Sequence, residues 1–484
     1  MRKAVRKKFL LVNVPTYESA YHSFQDFIAM VPPIGLTSIA AVIENMGYEV
    51  KILDATAENL TFAQTLKKTV AESPDYVGAT TMTATMDIIG EYFSQLRIRL
   101  PDVITFVGGP HASAVPEKTL EQFSGIDIAV IGEGEETITE LMPVLENGDT
   151  PDKVKGVAFR KDNQIILTEQ RPPIHDLGKL PMPAYHLLNF RLYRSYGWNA
   201  WVNGYRSPLG VVFMGRGCFG KCNFCAAHSV FGRGLRFFPP ERIKTEIDLL
   251  MANYRPRILY FQDDTFTANR KMVNIVCDYM IEKGYTRRVE IMVSSRVDVM
   301  HLPSLKKMRK AGVRWICFGV ESGSQPILDR MNKNTTIGQI RAAFTMAREA
   351  GLHVAGNYMI GHVDETWETA METINLACEL KQEYASFAIA LPFPGSELYQ
   401  YCLDNEVPLP SWAGFGSVNS PPIPLNKDLP QEKLLELRMI AVNRFFKRPT
   451  YLLGLLRKFR PSIVVKDFLN MYFAIRKERR AKRI

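Results

Sequence analysis

The segment RGCFGKCNFC, residues 216–225, places three cysteines on one short stretch of chain. Cys218, Cys222 and Cys225 follow the spacing C-x3-C-x2-C. A [4Fe–4S] cluster has four irons and normally four thiolate ligands, so three protein ligands leave one iron with an open position. An open position is how catalytic metal sites bind a substrate instead of only holding a fold. The segment therefore predicts a cluster whose fourth iron binds a small molecule.

A zinc site is the alternative for the same segment, with His228 as the fourth ligand. The chain has seven cysteines, an odd number, and none precedes Cys218. That distribution is not a secreted disulfide framework, so we expect a reducing, cytoplasmic environment. The remaining cysteines lie far apart and are predicted to be buried core residues: Cys277, Cys317, Cys378 and Cys402.

Length and composition indicate an ordinary globular protein. A chain of 484 residues is expected to form two or three domains. No apolar run reaches the roughly 18 residues of a membrane span. The formal charge is +10, and residues 447–484, with 12 Lys or Arg and 2 Asp or Glu, account for all of it. The basic character therefore belongs to the C-terminal tail and not to the cysteine segment.

Residues 1–150 alternate short apolar runs with amphipathic stretches such as GLTSIAAVIENMG (35–47). The alternation predicts an α/β domain with a doubly wound parallel sheet. Ligands of such sheets bind beyond the carboxyl ends of the strands. Three strand-end segments are rich in small and hydroxylated residues, which lets a large flat ligand approach the backbone: TTMTAT (80–85), GGPHAS (108–113) and GEGEET (132–137).

The rest of the chain divides into three further parts. Residues 151–209 are predicted to form a β-hairpin followed by a proline-rich linker. Across residues 210–430, six apolar runs separated by helical patterns predict a partial (βα)6 barrel, in which the chemistry gathers at the C-terminal ends of the strands. The cysteine segment follows the first of these strands. Residues 431–484 have the pattern of a helical, basic tail.

Polar residues end the later barrel strands, where ligand contacts are expected. Asp263 and Asp264 end the second strand, and because successive strand residues point to opposite faces, at most one of them should face the barrel interior. Arg296 could form a two-pronged hydrogen bond with a ligand carboxylate, and a structural salt bridge is the alternative. The remaining candidates are Ser294 on the third strand, Glu321 and Ser322 on the fourth, Gly361 on the fifth, and Phe224 in the cysteine segment.

The cysteine spacing, with aromatic Phe224 before the last cysteine, resembles the motif of the radical S-adenosylmethionine (SAM) superfamily. Two sets of stretches resemble its cobalamin (B12)-binding subgroup. The N-terminal set is PPIGLTSIAAVIENMGYEVKILDA (32–55), VGGPHAS (107–113) and IGEGEET (131–137). The later set is FQDDTFT (261–267), SSRVD (294–298), GVESGS (319–324), NYMIGHVDET (357–366) and PFPGSELY (392–399). The resemblance covers most of the chain.

The resemblance implies three cofactors. A [4Fe–4S] cluster would be ligated by the three cysteines, SAM would bind the open iron, and cobalamin would bind a Rossmann-like N-terminal domain. SAM would then be cleaved to a 5′-deoxyadenosyl radical that abstracts hydrogen from the substrate. The implied SAM contacts are Phe224, Asp264, Ser294, Arg296, Glu321, Ser322 and Gly361, and the implied cobalamin contacts are Thr81, Gly108, Gly109, His111, Gly132 and Glu133.

One departure from other cobalamin proteins concerns the cobalt ligand. Many of them carry a D-x-H-x-x-G loop whose histidine ligates cobalt, and residues 1–150 contain no such loop. The resemblance then implies a base-off cobalamin with no histidine on its lower face. His111 has the wrong spacing for that motif, so we expect it to be a polar loop residue near the corrin.

Three hypotheses for the function remain open at this point. The first is a cobalamin-dependent C-methyltransferase acting on an unactivated carbon. The second is a cyclase or rearrangement enzyme that uses the same cofactors without methyl transfer. The third is a non-catalytic iron–sulfur redox protein. A methylthiotransferase is disfavoured because that class needs three N-terminal cysteines for a second cluster.

The sequence predicts the class of each partner, but not its identity. We expect a small-molecule or lipid substrate, since Trp198 and Trp201 and the apolar tail favour a bulky ligand, and an electron donor such as flavodoxin or ferredoxin. No nucleic acid is expected, because no RNA-binding module is present. The tail is either an interfacial helix at the inner membrane face or a cap packed on the barrel. We therefore expect a cytoplasmic protein, with peripheral membrane contact as one hypothesis.

Overall fold

Two mainly parallel sheets organise the chain, as the alternating sequence pattern predicts. The computed structural model describes residues 7–15, 30–194, 208–416, 421–449 and 451. Trp198, Trp201 and nearly all of the basic tail lie outside these residues, so the interpretations that rest on them stay predictions.

The first sheet is the predicted doubly wound sheet. Its strands are β1 (Lys8–Asn13), β2 (Glu49–Asp54), β3 (Tyr76–Thr80), β4 (Ile104–Gly108), β5 (Ile128–Val130), β6 (Val157–Lys161) and β7 (Gln164–Leu167). Its helices are α1 (Ile34–Asn45), α2 (Phe62–Glu72), α3 (Met86–Arg99), α4 (Pro110–Ala114), α5 (Pro116–Gln122) and α6 (Gly134–Glu146). The strand order is β2-β1-β3-β4-β5-β6-β7, so the winding reverses between β1 and β3. A ligand crevice is expected beyond that switch point.

The hairpin that we assigned to the linker continues the first sheet instead. Strand β6 pairs antiparallel with β5, and β7 pairs antiparallel with β6. The sequence predicts the hairpin correctly but cannot show its pairing, because β5 offers an open edge that only the folded sheet reveals.

The second sheet is the predicted partial barrel. Its six strands, all parallel to their neighbours, follow chain order: β8 (Leu209–Val212), β11 (Ile258–Phe261), β12 (Glu290–Ser295), β13 (Val313–Glu321), β14 (His353–Ile360) and β15 (Tyr384–Ile389). A two-stranded ribbon, β9 (Gly215–Arg216) and β10 (Arg236–Phe237), flanks the cysteine segment. The helices are α7 (His228–Phe231), α8 (Pro240–Asn253), α9 (Arg270–Glu282), α10 (Leu302–Lys310), α11 (Gln325–Arg330), α12 (Ile337–Glu349), α13 (Trp367–Glu379), α14 (Glu397–Asp404) and α15 (Gln431–Phe446).

The apolar cores join the two sheets. Alternate residues of β1 face opposite sides of the first sheet, so Phe9 packs in one core and Leu10 in the other. The core that contains Leu10 also contains Leu391 and Trp412 from the C-terminal part of the chain. Residues 390–416 and 421–425 therefore contribute side chains that share the core of the first sheet. Cys277, Cys317 and Cys402 are buried as predicted, and Cys378 is half-buried.

Helix α15 caps the barrel. Its buried face, which includes Leu434, Leu437 and Phe445, packs in the barrel core, while Met439 is 59% exposed on the other side. The prediction that the tail from residue 431 is helical is therefore met over Gln431–Phe446. None of the helices in the described ranges combines the length and the hydropathy that crossing a bilayer requires.

Truncating Leu437 to alanine should destabilise the barrel, because the side chain is fully buried and its loss leaves a cavity that costs about 2–5 kcal/mol. Urea unfolding followed by tryptophan fluorescence would measure the change. Met439→Ala on the same helix is the matched control and should change the free energy of unfolding by less than about 0.5 kcal/mol. Equal effects of the two substitutions would show that α15 does not pack as described.

Candidate active site

The carboxyl ends of both sheets border one cavity of about 1000 Å³. Volumes of ligand pockets usually lie between about 300 and 1000 Å³, so this one has room for large ligands. Part of the cavity lining is apolar and comes from the first sheet and from helices α1 and α6. This part, called the apolar arm below, includes Phe9, Leu11, Ile39, Phe106 and Ile138. Such a lining suits an apolar or aromatic part of a larger ligand.

Glycines form the floor of the cavity on the first sheet. Gly108 and Gly132 border it, and a side chain at Gly108 would meet nothing closer than 3.8 Å. Gly109 adopts φ +97°, and a Cβ there would lie 2.8 Å from the Thr80 hydroxyl. Glycine is therefore required at Gly109 for the turn. This bare backbone surface lets a flat ligand lie close to the strand ends.

Thr81 lies behind the cavity wall instead of lining it. Its hydroxyl donates to the Gly108 carbonyl at 2.8 Å and accepts from the Ala112 amide at 3.1 Å. Thr81 is fully buried. The direct cobalamin contact expected of Thr81 is therefore corrected, because the side chain holds the turn and presents no surface to the cavity.

His111 is also buried behind the wall. Its Nδ1 lies 3.3 Å from the Thr83 hydroxyl, its ring packs edge-on against Trp412 at 4.6 Å, and its Nε2 has no hydrogen-bond partner. Burial lowers the pKa of His111 to about 4, so the ring is neutral at neutral pH. The expected position beside the corrin is corrected to one beneath the loop, because the packing on Trp412 holds the ring there.

The cysteine segment forms a loop at the top of the barrel, directly after β9. All three thiols are half-buried. The backbone amide of Gly220 donates to the Cys218 sulfur at 3.3 Å, and a Cβ on Gly220 would lie 3.4 Å from that sulfur and 3.7 Å from the Cys222 sulfur. Gly220 therefore leaves the sulfurs uncovered. Within the described ranges, no three His, Cys, Asp or Glu side chains converge on a position for a metal ion.

The proposed fourth zinc ligand, His228, begins helix α7, three residues after Cys225. Burial and the nearby Arg233 lower the pKa of His228. In the part of the chain that the structure describes, His228 and the cysteines do not form a group of side chains that converges on one metal position, so the zinc alternative stays a prediction.

Arg296 does not offer its fork to the cavity. Its Nε and one terminal nitrogen donate to Asp298 at 3.0 and 2.8 Å, and that terminal nitrogen also donates to the Lys333 carbonyl at 2.7 Å. The remaining nitrogen lies 3.9 Å from the Cys222 sulfur. The expected contact with a ligand carboxylate is thereby corrected to the salt-bridge alternative, which places a buried cation beside the cysteine loop.

Lys333 is a second buried cation at the same place, which the sequence analysis missed. Its ammonium lies 3.0 Å from the Glu321 carboxylate and 6.0 Å from the centre of the Phe224 ring. Burial raises the pKa of the Cys222 thiol, whereas Lys333 and Arg296 oppose that rise. Thiolates at this loop would therefore gain charge compensation.

The predicted SAM contacts at the ends of the fourth and fifth barrel strands are mostly engaged with other protein groups. Glu321, at φ +69°, turns its carboxylate to Lys333, so its predicted ribose contact competes with a salt bridge. Ser322 is fully buried and bonds Thr373 at 3.1 Å, which removes it from the ligand surface. Gly361, at φ +91°, packs against Leu434 of α15, since a Cβ there would lie 2.6 Å from that side chain.

Both aspartates border the cavity, but they differ in exposure. Asp263 is buried and accepts hydrogen bonds from the amides of Met214 and Gly215 at 2.9–3.1 Å. Asp264 and Gln262 are exposed, and Ser294 is half-buried. Both aspartates lie beyond the end of β11 at Phe261, so the alternation along the strand does not separate them. Asp264, Gln262 and Ser294 are therefore polar groups of the barrel that a ligand in the cavity can reach.

Glu133 borders the cavity, but its carboxylate is already paired. Arg216 and Arg236 each donate to it at 2.7 Å. Glu133 thus forms an ion pair between the first sheet and the ribbon below the cysteine loop, and its expected contact with cobalamin stays a prediction. The sequence gives little sign that Arg216, Arg236 and Lys333 belong to the site. The sign for Lys333 is its position between Asn332 and Asn334, a residue type that tolerates the positive φ both adopt in the structure.

Two family models match this chain in the regions just described. The model of the B12 binding domain matches residues 29–142, and that of the radical SAM superfamily matches residues 212–377. A methyltransferase of Pyrococcus horikoshii, described as uncharacterized, is 31% identical over 96% of this chain and 99% of its own length. This chain belongs to the radical SAM superfamily, with a B12-binding domain. It is a radical SAM enzyme, and its two domains indicate a [4Fe–4S] cluster, SAM and cobalamin as cofactors.

Two further proteins complete the comparison. The anaerobic magnesium-protoporphyrin IX monomethyl ester cyclase of Cereibacter sphaeroides is 29% identical over 93% of this chain and 75% of its own length. The radical SAM methyltransferase TsrM of Kitasatospora setae superposes with a TM-score of 0.65 at 18% identity, covering 82% of this chain and 76% of its own. The likeness to TsrM shows the fold alone.

Asp263 gives the stability of this radical SAM enzyme a defined pH dependence. Burial raises the pKa of Asp263 to about 7, against the two amides that lower it. Because the folded state then holds a proton that the unfolded state has released, stability should fall between about pH 4 and 7, by up to about 1.4 kcal/mol per pH unit, and level off above. Asp263→Asn keeps an acceptor and should remove this slope in urea unfolding at several pH values. An unchanged slope would mean that Asp263 titrates normally.

Proposed function

We propose that this protein is a cobalamin-dependent C-methyltransferase that acts on an unactivated carbon. The observation that carries the proposal is one cavity lined by glycines at the strand ends of the B12-binding domain and by polar strand ends of the barrel. Its lining also includes Arg216 and Gly217, which directly precede Cys218 in the chain. The Pyrococcus horikoshii relative, which spans nearly the whole chain, is named a methyltransferase. Two cofactors that meet over one substrate carbon supply a large part of the rate through positioning.

The donor set of the cysteine loop fits an iron–sulfur cluster with one open iron. We assign Cys218, Cys222 and Cys225 as its three ligands. The buried cations Arg296 and Lys333 would compensate the negative charge of the thiolates and the cluster. Phe224, between the second and third cysteines, is half-buried and would brace the loop.

SAM would be held by the groups that remain free at the strand ends. Asp264 suits the SAM amino group as an ion pair, and Ser294 can donate to the carboxylate. Glu321 keeps one carboxylate oxygen outside its bond to Lys333, which leaves an acceptor for a ribose hydroxyl. When bound, the cluster and SAM supply a carbon-centred radical that takes hydrogen from the substrate, and the corrin supplies the methyl group.

The cavity floor and its apolar arm fit a base-off cobalamin. We assign Gly108, Gly109 and Gly132 as the surface beneath the corrin, with the apolar arm taking the released aromatic base. His111 is fully buried and packs against Trp412, so its side chain would not be among the groups that hold the corrin.

A cyclisation without methyl transfer is the second candidate. It is favoured by the Cereibacter sphaeroides relative, which is named a cyclase and matches 93% of this chain. For partners, we propose a small-molecule or lipid substrate and a protein reductant of the flavodoxin or ferredoxin class. A cytoplasmic location with peripheral membrane contact through the basic tail belongs to the same proposal, because the tail alone carries the net positive charge.

Replacing any one of the three cluster cysteines with serine should abolish stable cluster binding, because two thiolates do not retain a cubane. Anaerobic reconstitution followed by iron and sulfide analysis should give about four irons per chain for the native protein and close to none for each variant. Cys402→Ser is the control: this cysteine is fully buried in the core, outside the loop, and its iron content should be native. Full iron in a Cys222→Ser protein would contradict the assignment.

Methyl transfer itself is tested with the cobalamin-loaded enzyme, a strong reductant and SAM that carries an isotopically labelled methyl group. Lipid and small-molecule extracts of the source cells serve as the substrate pool. We expect S-adenosylhomocysteine and 5′-deoxyadenosine to form together, with the label in one product. Deoxyadenosine and an unlabelled product would favour the cyclase instead, and undiminished SAM would rule out both.

A further inference from the structure

A two-stranded ribbon carries the cysteine loop, and its charges are unusual. Strands β9 and β10 pair antiparallel, with Arg216 directly opposite Arg236. Arg216 lies two residues before Cys218, so the ribbon forms the base of the loop. Both guanidinium groups are largely buried, with 12% and 16% of the side chains exposed. Like charges directly opposite each other destabilise a strand pair, and burial makes the repulsion stronger.

The compensating charges come from the other domain. Glu133 accepts from Arg216 with one oxygen and from Arg236 with the other, both at 2.7 Å. Glu135 accepts from the second terminal nitrogen of Arg216 at 2.5 Å. The carboxylates are 2% and 7% exposed. Both acids follow strand β5, at the carboxyl edge of the B12-binding domain.

The same group fixes two neighbouring segments. Glu133 also accepts from the Ile174 amide at 2.8 Å, and Arg236 donates to the Ile174 carbonyl at 2.6 Å and to the Phe231 carbonyl at 2.8 Å. Both oxygens of Glu133 and both terminal nitrogens of Arg216 and of Arg236 therefore have a hydrogen-bond partner. In such a network, removing one charge leaves its partner buried and unpaired, which is strongly destabilising.

We propose that Glu133 and Glu135 are positioning residues for the iron–sulfur cluster, although they belong to the cobalamin domain. They hold the two arginines of the ribbon together and so keep the loop of residues 218–225 in the shape that retains the cluster. Glu133 also borders the cavity beside Gly132. One carboxylate therefore connects the corrin floor with the base of the cluster loop. The inference rests on the proposed function, because it takes the three cysteines as cluster ligands.

The test compares cluster retention in the full-length reconstituted protein, without SAM or cobalamin. Native protein, Glu133→Gln and Glu135→Gln are mixed with an iron chelator, and the loss of visible cluster absorbance and of iron per chain is followed with time. We expect Glu133→Gln to lose iron at least about tenfold faster than the native protein, since it leaves a buried arginine without its anion. Glu135→Gln should lose iron at a rate between the two, because Arg216 keeps Glu133.

Glu140→Gln is the matched control. Glu140 lies on α6, in the same domain, but its side chain is 53% exposed and its partner, Arg171, lies outside the ribbon. Its iron should be retained as in the native protein. If Glu133→Gln does not fold, as judged by circular dichroism, Glu135→Gln against Glu140→Gln makes the same comparison.

A double variant separates a positioning role from a general loss of stability. Glu133→Gln with Arg236→Gln removes the acid and one of the two opposed arginines, so it should retain iron longer than Glu133→Gln alone. Iron retention in Glu133→Gln equal to that in Glu140→Gln, or a double variant that is worse than the single one, would overturn the inference. A native protein that holds no cluster would instead overturn the proposed function.

Discussion

Parallel strand pairing is the constraint on which the rest of this molecule depends. Parallel strands place all their carboxyl ends at one edge of a sheet, so the loops that follow them must share a surface. Here two such edges face one cavity. The glycine floor, residues 216–217 at the base of the cysteine loop and the exposed Asp264 come from distant parts of the chain. They border the same cavity because each lies at or shortly after the carboxyl end of a parallel strand. The position of the site is therefore set by the strand topology, and the individual residues determine which groups it presents.

Buried charge is the second organising feature. Arg296 with Asp298, Lys333 with Glu321, and the arginines of the ribbon with Glu133 and Glu135 form a set of largely buried ion pairs around the cysteine loop. Desolvation makes such pairs poor sources of stability. Their concentration at one place is better explained by the anionic cluster proposed there, whose charge they would balance while their partners keep them in fixed positions.

The sequence predicts what depends on periodicity and spacing. Both sheets and the strand bounds within a few residues follow from alternation along single strands. The partners of Arg296, Glu321 and Glu133 do not, because an ion pair depends on which distant side chain arrives within reach. Thr81 and His111 were placed on the correct loops, but whether a loop residue faces a cavity or the core depends on packing partners such as Trp412. The pairing of β6 with β5 could not be predicted either, because it also depends on which distant segment lies beside β5 in the folded chain.

The apolar core that residues 390–416 and 421–425 share with the first sheet limits how this architecture can be recombined. A chimera that exchanges only the N-terminal domain would leave Leu391 and Trp412 without the surface they cover, and it would also give the ribbon arginines a foreign set of acids. The smallest exchangeable unit is discontinuous: it consists of the first sheet together with the late segment that packs on it. The two domains are separate in sequence, but they share a core and buried ion pairs, so a change of residues on one side of this contact requires a matching change on the other.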